Sequence, residues 1–282
     1  MTTPQSKWIF FGTDDFSVGV LNVLAKNSWR PDLIVTMKDT PQGRKMILTP
    51  PAVKVWAEKE NIKVIQPESL KTALEFEQEA WDFFVVASYG KIIPQRILDI
   101  PNKGVLNVHP SLLPLYRGAS PIQSAILVGD EISGVSIMLI DAEMDHGPIL
   151  DQIEINMSGK NYLELEKDLA EKGGELLVKT LPSWLSDNLA PKEQAHEQAT
   201  FTKKIAKEDG ELDLSKPAEE NLRKIRAFNP WPVAYFHLDK NGKKIRIKVL
   251  SAHLENDELV FDTIIPEGKK EMKWEDYKRN LN

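Results

Sequence analysis

The sequence predicts an α/β fold: a mostly parallel sheet with covering helices, followed by a smaller β-rich domain. Three observations carry this reading. Short apolar runs alternate with stretches of helical periodicity from Trp8 to Ile140. One long amphipathic segment then runs from Tyr162 to about Leu185. Beyond it, two segments of alternating character flank Lys240-Asn-Gly, the strongest short hairpin signal a sequence offers. Strand, helix, strand in series is the pattern of a parallel sheet, because parallel neighbours need a crossover between them.

Trp8-Ile-Phe-Phe-Gly reads as a buried strand ending in a glycine turn, and Phe16, Val20, Leu21 and Leu24 then recur at helical spacing. Leu33-Ile-Val-Thr-Met is a second strand, Val53 through Glu60 a second helix, and Ile62-Lys-Val-Ile a third strand. Phe83-Phe-Val-Val-Ala, Gly104-Val-Leu-Asn-Val-His and Gly134-Val-Ser-Ile-Met-Leu-Ile continue the sheet. In the long helix Leu165, Leu169, Leu176 and Leu177 share one face. The next stretch is polar with a proline and reads as a linker. The expected organisation is a domain over 1–188, a linker over 189–206 and a second domain over 207–282, marked by a short helix near Pro217–Ala227 and the hairpin.

Composition bounds the function. With 282 residues the chain can bury a large core unaided, and with no cysteine it has no disulfide, thiolate metal site or cysteine nucleophile. The N-terminal stretch before Trp8 is too short for a signal-peptide core, and no apolar run reaches the ~18 residues that span a bilayer. A cytoplasmic, monomeric protein without membrane association is expected. The net charge of -6 hides an asymmetry: residues 201–282 hold 17 basic and 15 acidic residues, residues 1–200 hold 19 and 27. A solvated mixed-charge surface and a nucleic-acid contact both fit the more basic tail.

No G-x-G-x-x-G and no phosphate loop occurs, and the first strand turns through Gly12-Thr-Asp-Asp, whose acids would repel a pyrophosphate. NAD, FAD and ATP are therefore not expected. The densest chemistry is Asn107-Val-His-Pro-Ser-Leu-Leu-Pro-Leu-Tyr-Arg-Gly, at the carboxyl end of a predicted strand. Asn107 and His109 are two apart and share a face. An amide can hydrogen-bond a developing oxyanion, and an imidazole can manage a proton near neutral pH. Asp141-Ala-Glu-Met-Asp-His-Gly-Pro follows another strand, and Asp145 could orient His109. Taken alone, both segments also fit hydrogen-bonded or solvated loops. A metal site is not expected, since neither H-E-x-x-H nor repeated carboxylate spacing occurs.

These two segments, with Asn107, His109 and Asp145 at their spacing, resemble the signature of the 10-formyltetrahydrofolate-dependent formyltransferases. Phe11-Gly-Thr-Asp-Asp-Phe, Ala87-Ser-Tyr-Gly-Lys-Ile-Ile-Pro, Arg226-Ala-Phe-Asn-Pro-Trp-Pro-Val-Ala-Tyr and Gly268-Lys-Lys-Glu-Met-Lys-Trp-Glu-Asp are similar to the branch of that family that formylates methionyl-tRNA. The resemblance implies a Rossmann-like catalytic domain and an OB-like β-barrel domain, here abbreviated, because Glu255-Asn-Asp-Glu-Leu-Val-Phe-Asp leads almost at once into Ile264. It implies Asn107, His109 and Asp145 as the catalytic set, 10-formyltetrahydrofolate as formyl donor without a metal, and initiator methionyl-tRNA as acceptor. It places Ser111, Leu112, Leu113, Pro114, Val86, Tyr89, Gly90, Ile92 and Ala142 around the folate. Arg44 and Lys45, in the loop from Asp39 to Pro51, and Lys204, Lys207, Lys244 and Arg246 are the implied tRNA contacts. An amino-sugar nucleotide formyltransferase with the same catalytic set is the alternative.

Overall fold

The computed structural model describes residues 6–43, 45–240 and 242–279. In chain order the elements begin with β1 (Trp8–Gly12), α1 (Asp15–Lys26), β2 (Leu33–Val35), β3 (Thr40–Gln42), β4 (Ile47–Thr49), α2 (Ala52–Lys59) and β5 (Lys63–Ile65). There follow β6 (Phe83–Ala87), α3 (Gln95–Leu98), β7 (Val105–His109), β8 (Arg117–Gly118), α4 (Pro121–Val128), β9 (Ile132–Leu139), β10 (Ile149–Asn156) and α5 (Tyr162–Leu185). The remainder comprises β11 (Phe201–Thr202), α6 (Ala218–Ala227), β12 (Tyr235–Lys240), β13 (Lys243–Glu255), β14 (Glu258–Pro266), β15 (Met272–Lys273) and α7 (Trp274–Arg279). The chain forms two compact units: Met1–Arg117, Gly134–Ile155 and Glu166–Phe201 in the first, and Gly118–Ser133, Asn156–Leu165 and Thr202–Asn282 in the second.

The first unit is built on a seven-stranded sheet of order β10-β9-β7-β6-β1-β2-β5. β1 pairs in parallel with β2 and β6, β2 with β5, and β6 with β7, while β9 runs antiparallel to β7. Every residue of β1 and β6 is buried, which is why these strands read as unbroken apolar runs. On one face Ile9, Phe11, Phe84, Val86, Val105 and Tyr89 share a core. On the other, α5 comes close enough that a Cβ on Gly173 would lie 2.7 Å from Cγ1 of Val108, so a side chain there would push the helix off the sheet. α1 is capped by Asp14, whose Oδ1 accepts from the Ser17 amide at 3.2 Å, and it buries Phe16, Val20, Leu21 and Leu24 as their spacing predicts. From β1 the chain goes outward to β2 and β5, then returns to the other side of β1 with β6. That reversal opens a crevice beyond the carboxyl ends of the strands, where ligands of such sheets bind.

In the second unit β12, β13, β14 and β15 form an antiparallel sheet in sequential order. Phe236, Ile247, Val249 and Ile264 face a core completed by Ile225 of α6 and Tyr277 of α7. The abbreviation expected of the barrel takes a concrete form: β12 and β15 are the two edges of an open four-stranded sheet among the described residues. Alternation sends Lys244, Arg246 and Lys248 to the face opposite Ile245, Ile247 and Val249. Across the strand pair they meet Asp239, His237 and Tyr235. The hairpin expected at Asn241 is present in its strands, but Asn241 itself lies outside the described residues.

Candidate active site

β7 lies between β6 and β9, with Asn107 in register with Val86 on one side and Met138 on the other. Two residues on, His109 is 4% exposed at the strand end. Asp145 arrives from the loop after β9 and turns one carboxylate oxygen onto both. Its Oδ1 accepts from Nδ2 of Asn107 at 3.4 Å and lies 3.7 Å from Nδ1 of His109. On its far side the imidazole Nε2 is 3.1 Å from the Tyr116 carbonyl. A carbonyl only accepts, so Nε2 carries a proton and Nδ1 is the position left to gain or lose one beside the carboxylate. Amide, imidazole and carboxylate are thereby gathered at one point on the crevice side of the sheet.

The loop after His109 is locked in place. Ser111 donates its hydroxyl to the Leu115 carbonyl at 2.6 Å. The buried Ser136 hydroxyl donates to the Ser111 carbonyl at 2.7 Å and accepts from the Leu113 amide at 3.0 Å. Gln152 adds donations to the Leu113 carbonyl at 2.9 Å and to the Ser136 hydroxyl at 2.8 Å. Ser111 and Leu113 are buried and brace this turn. Ser88, Tyr116 and Asp145 have φ of 49°, 60° and 49°, a region that residues other than glycine enter seldom. Such departures gather where a site fixes unusual backbone.

The other residues expected at the folate site fall into two groups. Val86 and Tyr89 are buried in the same core face as β7, with Tyr89 2% exposed. Burial pushes the Tyr89 hydroxyl up to about 12, and it has no hydrogen-bond partner among the described residues. Leu112 and Pro114 are half-buried, whereas Gly90, Ile92 and Ala142 are exposed. Of the expected tRNA contacts, Lys45 is exposed near the β3–β4 hairpin tip, next to exposed Met46, Ile47 and Leu48. Lys204, Lys207, Lys244 and Arg246 are exposed in the second unit. Arg44 lies outside the described residues. Arg246 sits over the Tyr235 ring at 5.3 Å. No group of three or more His, Asp or Glu side chains is arranged for a metal ion among the described residues, and no described helix is long and apolar enough to cross a membrane.

Two site residues escape a sequence reading. Gln194, in the polar stretch expected as linker, is 5% exposed and bonded to the loop that carries Asp145. Arg117 is 3% exposed and bonded to Gln194. Part of that stretch is therefore built into the first unit, and Lys192 exchanges backbone hydrogen bonds with Ile149 at 2.7 and 2.8 Å. The one signal for this is compositional: residues 189–200 contain no glycine and no serine, unlike a flexible linker.

Comparison with known proteins follows the same two parts of the chain. The family model described as formyl transferase matches residues 6–181, and that of the formyl transferase C-terminal domain matches 204–260. The methionyl-tRNA formyltransferase of Bacillus velezensis is 36% identical, the alignment covering 99% of this chain and 96% of that protein. Its counterpart in Chloroflexus aurantiacus is 42% identical over 80% of this chain and 74% of its own length. Among solved structures, methionyl-tRNA formyltransferase from Clostridium thermocellum superposes with a TM-score of 0.63 at 16% identity, covering 93% of this chain and 99% of that one. An N-formyltransferase from Helicobacter canadensis, in complex with folinic acid and dTDP-3-aminofucose, gives 0.67 at 20% identity, covering 89% of each chain. Sequence similarity at this level, running through the sheet, the end of β7 and the C-terminal part alike, means that the chain belongs to the formyl transferase family.

Proposed function

We propose that this chain transfers the formyl group of 10-formyltetrahydrofolate to the α-amino group of methionyl initiator tRNA. The observation that carries the reading is the single Asp145 oxygen facing both Asn107 and His109, in a chain whose relatives named methionyl-tRNA formyltransferase align over nearly its full length. The amine nitrogen attacks the formyl carbon, and the carbonyl oxygen becomes an oxyanion to which the Asn107 amide donates. As the carbon–N10 bond breaks, N10 takes up a proton and the new amide nitrogen gives one up. His109 serves that exchange at Nδ1, with Asp145 stabilising the imidazolium. The pterin ring would lie against Val86, Tyr89 and Ile92, with the Ser111–Pro114 turn and Ala142 beside it, since a flat heteroaromatic ring needs apolar walls and a few edge hydrogen bonds.

The acceptor side rests on the basic face of β13 and on Lys45, Lys204 and Lys207, with Arg44 in the same role. Lysine and arginine on phosphate make affinity fall with salt, and each lost contact reduces the slope of log affinity against log salt by about 0.7–0.9. Arg246→Ala is expected to weaken apparent binding of the charged tRNA several-fold, leave kcat within about twofold, and flatten the salt slope by roughly one contact. An unchanged slope would remove Arg246 from the interface. The deciding assay offers the full-length protein 10-formyltetrahydrofolate with charged initiator tRNA in one vessel and an amino-sugar nucleotide in another. Formylation of methionyl-tRNA is expected. Formylation of the amino sugar alone would overturn the assignment of acceptor, and formylation of neither would overturn the activity.

A further inference from the structure

The loop that carries Asp145 is gripped from outside by a segment remote in sequence. Gln194 donates both N–H groups of its amide to main-chain carbonyls of that loop, to Asp145 at 2.9 Å and to Gly147 at 2.7 Å. Its oxygen accepts from Arg117, at 3.2 Å from Nε and 2.6 Å from Nη2. Every donor of the amide is used, and its orientation is fixed, because a flipped amide would set N–H groups against a guanidinium that can only donate. Nη2 of Arg117 also reaches Nδ1 of His196 at 2.8 Å. The His196 ring stacks on His146, with centroids 4.0 Å apart and planes 6° from parallel. His146 in turn meets Asp141 Oδ2 at 2.7 Å. Residues 145 and 147 are thus held by Gln194, and residue 146 between them is stacked on His196.

The grip acts where the backbone would otherwise relax. Asp145 has φ 49°, and an aspartate leaves that left-handed region unless its surroundings hold it there. The same rotation decides where its carboxylate points. Both carbonyls that Gln194 clamps flank His146, so the clamp fixes the peptide planes on either side of the turn. Arg117 follows the catalytic strand end by eight residues and is tied to the returning segment by its own amide, which donates to the Thr200 carbonyl at 2.9 Å. One buried cluster therefore references the Asp145 loop to the turn that also supplies Tyr116, the partner of His109.

We propose that Gln194 and Arg117 are positioning residues for the transfer reaction, holding the backbone at Asp145 so that its carboxylate stays on Asn107 and His109. The identity of the reaction rests on the function proposed above; the clamp itself does not. Gln194→Met keeps length and removes all four hydrogen bonds. Gln194→Glu keeps an acceptor for Arg117 but sets carboxylate oxygens against two carbonyls. Both variants of the full chain are compared with the parent in kcat and in the Michaelis constant for each of the two substrates. The ring signals of His109 are followed by NMR, where they are assignable because the chain has only 5 histidines.

The expected result is a fall in kcat of about tenfold or more with both Michaelis constants within about threefold, together with displaced His109 ring signals. A kcat within about threefold of the parent overturns the proposal. So does a larger fall with His109 signals unmoved, since that would make Gln194 a support of the fold alone. Should both variants fail to fold, Arg117→Lys, which keeps the charge but not the fork, is read in the same way: loss of kcat with moved His109 signals supports the clamp, and parent-like behaviour overturns it. If the parent formylates neither amine, the functional reading fails, while the His109 comparison still decides the clamp.

Discussion

Alanine at Asn107, His109 or Asp145 is expected to lower kcat by about 100-fold or more in each case, equivalent to roughly 2.7 kcal/mol of barrier. The three losses have different origins. Asn107→Ala removes the donor proposed for the oxyanion and takes from Asp145 its amide partner at 3.4 Å. His109→Ala removes the group proposed to exchange protons and takes from the Tyr116 carbonyl a partner at 3.1 Å. Asp145→Ala leaves Nδ1 of a nearly buried imidazole without the carboxylate that lies 3.7 Å from it. Because the three share one oxygen, their effects are not expected to add: a double variant should be little slower than the worse single one. Steady-state kinetics with both substrates saturating checks this. Turnover within a fewfold of the parent in all three would remove the triad from the chemistry.

Gly147→Ala should injure stability and turnover together. A Cβ there would stand 2.0 Å from the Leu139 carbonyl oxygen, a main-chain atom that no rotamer change can clear. The two backbones are also tied, since the Leu139 amide donates to the Pro148 carbonyl at 2.9 Å. The clash must open the end of β9 or displace the loop two residues after Asp145. Overpacking of this kind costs about 1–3 kcal/mol, a fall of several degrees in Tm for a chain of this size. A shift of about 1 Å in Asp145 can cost on the order of 100-fold in rate. Thermal melts and kcat on the same preparation test both. A variant that melts and turns over like the parent would mean that the loop yields at no cost to the site.

What the sequence makes legible follows from range. Strands buried on both faces, such as Phe83–Ala87, announce themselves as apolar runs, and α1 and α5 by their spacing. Asn107 and His109 are legible as a pair because two residues on a strand share a face whatever the rest of the fold does. Short elements are less so: α4 has eight residues, six of them apolar, so its buried spacing at Pro121, Ile122, Ala125 and Ile126 is blurred by Leu127 and Val128 before Gly129 ends it with φ 89°. β10 is an edge strand of the sheet, and its alternation begins only after Gly147-Pro148. Gln194 is least legible of all. It acts on residue 145 across 49 positions, through an uncharged side chain in a polar tract, and no local pattern encodes a hydrogen bond made at that distance. Arg117 resembles any loop arginine until its burial is known.

The clamp at Gln194 also has a consequence for the order in which the protein becomes competent during synthesis. The sheet, β7 and the Asp145 loop are all made before residue 194 leaves the ribosome, and N-terminal units tend to fold as they emerge. For that interval the nascent chain holds Asn107, His109 and Asp145 on a nearly finished sheet, yet lacks the amide that fixes the Asp145 backbone. If the clamp acts as proposed, the returning segment is a late latch: the geometry at Asp145 is completed only once the chain has passed the long helix and supplied the last stretch of its first unit.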